Sequence, residues 1–117
     1  MGRVRRLDIL YDIVRWEEKA LYEAALKKGL DVKMIDSKDI LINLNDNNGI
    51  TFINGDGYKD TSKVYLQRCV SYFRSIHLTA ALEGYDARVI NSLRCSLIAG
   101  NKLFAHVALV KNNISTP

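Results

Sequence analysis

Cysteine is scarce in this chain: Cys69 and Cys95 are the only two among 117 residues. So wide a spacing, with no second pair, excludes a disulfide scaffold and a cysteine-based zinc framework. Both are expected as buried free thiols, the usual state of unpaired cysteine, and Cys69 has no helper histidine nearby in sequence. No apolar run reaches the ~18 residues that span a bilayer. The basic start, Arg3, Arg5 and Arg6, leads into alternation rather than the unbroken apolar core of a signal peptide. No membrane is therefore expected, and the cytoplasm is the expected compartment. A glycine-rich phosphate loop is also missing, because Asn54-Gly55-Asp56-Gly57 precedes neither a helix nor the first crossover. There is no paired-carboxylate magnesium site and no nucleophile elbow. His77 and His106 fall inside helical stretches without metal-ligand spacing and read as structural or surface residues. No catalytic group and no metal ligand is nominated.

What is present is an ordinary globular balance, 48% hydrophobic and 26% charged, in a length that supports one domain but not two. The formal net charge is +4. It suits an acidic partner or a phosphorylated ligand, but the bases are scattered and poorly interleaved with aromatics, so no nucleic acid is expected.

The apolar pattern predicts a strand over 4–11, then a helix over 15–28 with Trp16, Ala20, Leu21, Ala24 and Ala25 at helical spacing. Its acids (Glu17, Glu18) come early and its bases (Lys27, Lys28) late, as the helix dipole favours. Gly29 closes it and a second strand follows over 31–36, which makes a right-handed crossover with parallel strands. Two short runs in 40–54 flank Asn45-Asp46-Asn47-Asn48-Gly49, a hairpin signal. The polar stretch 54–62 reads as a loop. A third parallel strand at 64–67, a helix ending near Gly84 and a fourth strand at 88–91 complete the alternation. A short helical turn capped by Ser92 and a last helix after Gly100 follow, with Leu103, Phe104, Val107, Ala108 and Val110 expected to face inward. The class is α/β: an open, mainly parallel four-stranded sheet flanked by helices, with an extra β-hairpin near 40–54.

In such sheets ligands bind at the carboxyl ends of the strands. That nominates Tyr11, Asp12, Arg68, Ser71 and Asn91 as a substrate-binding edge. Arg68 either grips a carboxylate or phosphate with two parallel hydrogen bonds or pairs with Asp12 or another acid to tie two loops. Ser71 either donates to an anion at a helix start or caps that helix. Asp12 is either a lone acid in the site or a cap or ion-pair partner.

Ile9-Leu10-Tyr11-Asp12, Arg15-Trp16-Glu17-Glu18-Lys19, Leu66-Gln67-Arg68-Cys69-Val70-Ser71 with Arg74, Val89-Ile90-Asn91-Ser92, Ala99-Gly100-Asn101-Lys102 and Ile114-Ser115-Thr116-Pro117 occur in this order. Together they resemble the N-terminal, pre-ATP-grasp part of a RimK-like ATP-grasp ligase. The likeness is greatest to ligases of lysine biosynthesis that join α-aminoadipate to an acidic amino-group carrier protein, and to their glutamate-using sisters of arginine biosynthesis. It covers nearly the whole chain, and least the stretch 37–62.

The resemblance implies a Rossmann-like pre-ATP-grasp domain over 1–117 that lines a substrate crevice. The central and C-terminal domains that clamp ATP and Mg2+ would lie in polypeptide absent from this chain. It implies an acyl phosphate on the carrier's terminal glutamate attacked by the amino group, a homo-oligomer, and Lys102 near the nucleotide phosphates. Asn101 stands where the family usually has Asp. The isolated chain is expected to bind no ATP or Mg2+ and to be inactive alone. The alternative is a free-standing interaction or regulatory domain without catalysis.

Overall fold

Alternation of side chains along strand β1 (Arg6–Tyr11) divides the core into two layers. Leu10 points to one side, with Ile35, Tyr65, Leu82 and Val89, while Ile9 points to the other, with Ala25 and Val32. The computed structural model describes residues 5–44, 50–52 and 64–116. After β1 come α1 (Trp16–Lys27), β2 (Asp31–Asp36), a single 3-10 turn at Ser37–Asp39, and the strands β3 (Ile40–Ile42) and β4 (Ile50–Phe52). Strand β5 (Val64–Gln67), helix α2 (Tyr72–Gly84), strand β6 (Arg88–Ile90), and helices α3 (Leu93–Ala99) and α4 (Lys102–Lys111) complete the order.

The sheet order is β2-β1-β5-β6, and every pairing in it is parallel. The expected open α/β sheet is therefore present. Leu82 places α2 on the Leu10 side, while Ala25, with Leu21 and Tyr22 beside it, places α1 on the Ile9 side. β3 and β4 form a separate antiparallel pair, with Ile40 and Ile50 packed on the α2-side layer. The predicted turn at 45–49 and loop at 54–62 lie outside the described residues. Gly29 adopts φ +73° just past α1, where a side chain would be strained. Its N–H reaches the Leu26 carbonyl at 3.0 Å and the Leu30 N–H reaches Ala25 at 3.1 Å, so the predicted stop is a left-handed cap.

The C-terminal helices depart from expectation. α3 and α4 bury no residue, and Leu103, Phe104, Val107 and Val110 are 67%, 51%, 47% and 56% exposed. Of the five side chains expected inward, Ala108 alone is half-buried, because α4 packs on α3 rather than on the sheet. Cys95, on α3, is likewise exposed rather than buried; Cys69 is half-buried. Among the described residues no single helix is long and apolar enough to cross a membrane. α3 and α4 pass together by length and composition, but they are bent by 96°.

Candidate functional site

Strand parity decides where each predicted site residue points. Tyr11 follows Ile9 by two positions and Arg68 follows Leu66 by two, so both belong to the α1 side. Asp12 and Gln67 fall on the α2 side, and Gln67 Nε2 donates to Thr79 Oγ1 of α2 at 3.2 Å. The parallel register sets Leu10 beside Gln67 and Leu66 beside Ile90. Tyr11, Arg68 and Asn91 thus end or follow adjacent strands at one carboxyl edge, divided between faces.

Arg68 makes its ion pair with Glu18 of α1, not with Asp12. Its Nε donates to Glu18 Oε2 at 3.1 Å, and its Nη2 stands 3.1 Å from the same oxygen as an ion pair. Glu18 is fully buried and also accepts from Arg15: the backbone N–H at 3.1 Å, Nε at 2.9 Å and Nη2 at 3.2 Å. One carboxylate inside the protein therefore holds two guanidiniums whose own side chains stay 40% and 34% exposed. The Arg15 side chain holds the Glu18 carboxyl below the usual range against the cost of burial, with the Arg15 N–H and Arg68 assisting. Nη1 of Arg68 takes no part in this grip, so the guanidinium keeps donors for a ligand.

Asp12 caps no helix of its own. Its carboxylate accepts the Val70 N–H at 2.9 Å and the Ser71 N–H at 3.0 Å, with Arg74 Nη1 at 3.7 Å. Burial works against its charge, but the Ser71 and Val70 N–H groups outweigh it and its pKa lies below the ordinary value. The chain's own carboxylate thus sits at the start of α2, the position an external anion would take in one of the two readings of Ser71. Ser71 caps α2, its Oγ accepting from the Arg74 N–H at 3.4 Å. Between these groups the Cys69 thiol is pushed up to about 11, by burial first and then by the Asp12 charge, and is a poor nucleophile.

Asn91 opens instead on a shallow groove of about 520 Å³ beyond β6, with Glu83, Arg88 and Ser92 among its lining. Lys102 is the first residue of α4, behind Asn101, whose Oδ1 accepts the Phe104 N–H at 3.1 Å. An Asp there would cap the same way, so the Asn preserves the local backbone. Gly100 lies against the Tyr72 ring at the head of α2, and any Cβ at that position would collide with it. This contact brings the α3–α4 junction, and with it Lys102, to the carboxyl edge. Tyr11 borders a cavity on the α1 side with Lys19 and Tyr22.

Sequence reasoning missed Glu18 and Arg15. The available signal was Arg15 three residues before Glu18, a capping spacing, together with the parity that turns Arg68 toward α1. Among the described residues no three His, Cys, Asp or Glu side chains gather around a possible metal position. Asp12 and Glu18 are committed to N–H donors, so among the described residues these carboxylates do not fit magnesium.

A four-stranded parallel sheet with polar groups at its carboxyl ends is an open α/β domain of the kind that binds ligands at that edge. A RimK domain ATP-grasp protein from Sphaerobacter thermophilus has the same fold, with a TM-score of 0.72 at 18% identity over 96% of this chain and 39% of that one. The family model described as the LysX preATP-grasp domain matches residues 7–97, and the chain belongs to that family. It is 31% identical over 105 residues to an alpha-aminoadipate–LysW ligase LysX of Sulfolobus acidocaldarius, covering 89% of this chain and 35% of that protein. It is 36% identical over 103 residues to the protein of the same name from Saccharolobus solfataricus, covering 88% and 34%. The chain spans about a third of the length of these relatives.

Proposed function

We propose that this chain is the N-terminal domain of an ATP-dependent carboxylate–amine ligase of lysine or arginine biosynthesis. The enzyme joins the amino group of α-aminoadipate or glutamate to the C-terminal glutamate of an acidic carrier protein. ATP with Mg2+ converts the carrier carboxylate to an acyl phosphate, and the amine displaces phosphate to form the amide. The family match across 7–97 carries this reading; the relatives' names supply the amino acid and carrier.

Within it, the chain contributes binding and positioning. Arg68 offers its remaining N–H donors to a substrate carboxylate while Glu18 fixes its plane. Tyr11 and Asn91 flank it along the edge. Asp12 and Ser71 hold the 70–71 backbone and the head of α2 in place. Lys102 faces the nucleotide phosphates from the start of α4.

Exposed Trp16, Val70 and Phe73 near this edge, and the apolar stripe of α4, suit a wall that other polypeptide covers. The assembly is a cytoplasmic homo-oligomer that engages no nucleic acid.

Two measurements test the proposal. Calorimetry of the isolated chain with Mg-ATP is expected to show no saturation, and ordinary micromolar binding would contradict it. Addition of the chain to the remaining two thirds of the Saccharolobus solfataricus protein is expected to yield carrier-linked α-aminoadipate by mass spectrometry. A mixture that forms a stable complex but no product would count against the reading.

A further inference from the structure

Besides the arginine cluster, the α1 side of the sheet holds a cavity of about 240 Å³ lined by Tyr11, Val14, Lys19, Tyr22, Glu23 and Met34. Neither Arg15, Glu18 nor Arg68 lines it, and Tyr11 is the residue it shares with the proposed substrate edge. Its floor continues the core: Tyr22 and Met34 pack on the layer of Ile9, Ala25 and Val32. Its rim is polar, and among the described residues no hydrogen bond or ion pair engages the Tyr11 or Tyr22 hydroxyl, the Lys19 ammonium or the Glu23 carboxylate. An apolar pocket with a few convergent, unengaged polar groups is the usual form of a small-molecule site.

Size, shape and charge narrow the ligand. A cavity of about 150 Å³ accepts benzene, so this one has room for a fused pair of rings. Two phenol rings and a thioether favour a planar aromatic guest through offset stacking and sulfur–ring contact. Lys19 and Glu23 lie four residues apart on α1 and cancel in charge, which disfavours an anion or a cation. The Tyr11 phenol is held above its usual pKa by burial and by Asp36 and Asp39, so at neutral pH it keeps its proton as a donor.

We propose that this cavity is a binding site for a neutral fused heteroaromatic ring of indole or nucleobase size, held between Tyr11, Tyr22 and Met34 with its polar edge at Lys19 and Glu23. The inference goes beyond the ligase reading and does not rest on it, because it concerns the chain alone and reads no turnover.

The test is a titration of the 117-residue chain with indole and with adenine, followed by amide NMR, with cyclohexanol as the non-aromatic control. At least one ring is expected to give saturable shifts centred on residues 11–23 and 34, with a dissociation constant of about 1 mM. Met34→Trp, which fills the cavity, is expected to weaken binding at least tenfold. Should that variant fail to fold, Glu23→Ala on the exposed rim decides in its place, with an expected loss of about threefold. No saturation by either ring to about 10 mM, shifts centred elsewhere, cyclohexanol binding as tightly, or unchanged affinity in these variants would each overturn the proposal. The ligase activity of a reconstituted enzyme can succeed or fail independently of that result.

Discussion

Glu18 and Asp12 do unequal work although both are carboxylates near one sheet edge. Glu18 is buried and holds two arginines, so Glu18→Gln removes the charge that Arg15 and Arg68 share and leaves Arg15 with Glu17 at 3.9 Å. Breaking a fully buried pair costs ~3–5 kcal/mol. Both guanidiniums keep access to water, so the expected loss is about 2 kcal/mol, measured by urea unfolding; a change below about 0.5 kcal/mol would contradict the buried grip. Both carboxyls titrate below their ordinary values in the folded chain. Their contribution is then complete above the unfolded value of about 4 and disappears as pH falls through the lower folded values. The urea midpoint should therefore drop steeply on the acid side of about pH 4. The Asp12→Asn, Glu18→Gln double variant should show a shallower drop than the parent.

Among the elements, α2 and α4 contrast most sharply, since only one of them contributes to the core. Leu82→Ala on α2 empties a site in the layer on the Leu10 side and should cost about 2–5 kcal/mol. Val107→Gln on α4 should change stability by less than about 0.5 kcal/mol, because that side chain already faces water. Equal losses from the two would show that α4 is packed inward after all. Gly100→Ala, where a Cβ meets the Tyr72 ring and the Ser96 carbonyl, should cost about 1–3 kcal/mol. A neutral result in the same urea assay would remove the contact that brings Lys102 to the edge. These contrasts also show what was legible beforehand. The short apolar run Leu7 to Tyr11 broken only by Asp8, the helical spacing after Arg15 and the Gly29 stop marked the crossover, because local chemistry determines each. The apolar pattern of α4 gave the helix but not its orientation. A helix apolar on most sides carries no mark of which side meets its neighbour, and here Ala108 is half-buried while Leu103 is exposed.

For the whole molecule, the residues nominated as an edge end or follow three adjacent parallel strands, but the pairing among their side chains was not legible. No local spacing links Arg68 to Glu18 fifty residues away; strand parity turns Arg68 toward α1, and the register of β1 against β5 completes the link. The result is an edge whose acids Asp12 and Glu18 are spent on its own framework and whose arginines stay partly exposed, which is the basis of the proposed substrate-carboxylate role. The most direct measurement of this account uses a chimera in which the chain replaces the matching third of the Saccharolobus solfataricus relative. Amide formation between α-aminoadipate and LysW is then compared with Arg68 intact and as Arg68→Met. The account predicts product from the intact chimera and a KM for the amino acid at least tenfold higher in the variant. A folded, Mg-ATP-binding chimera that forms no product, or a variant with unchanged KM, would contradict it.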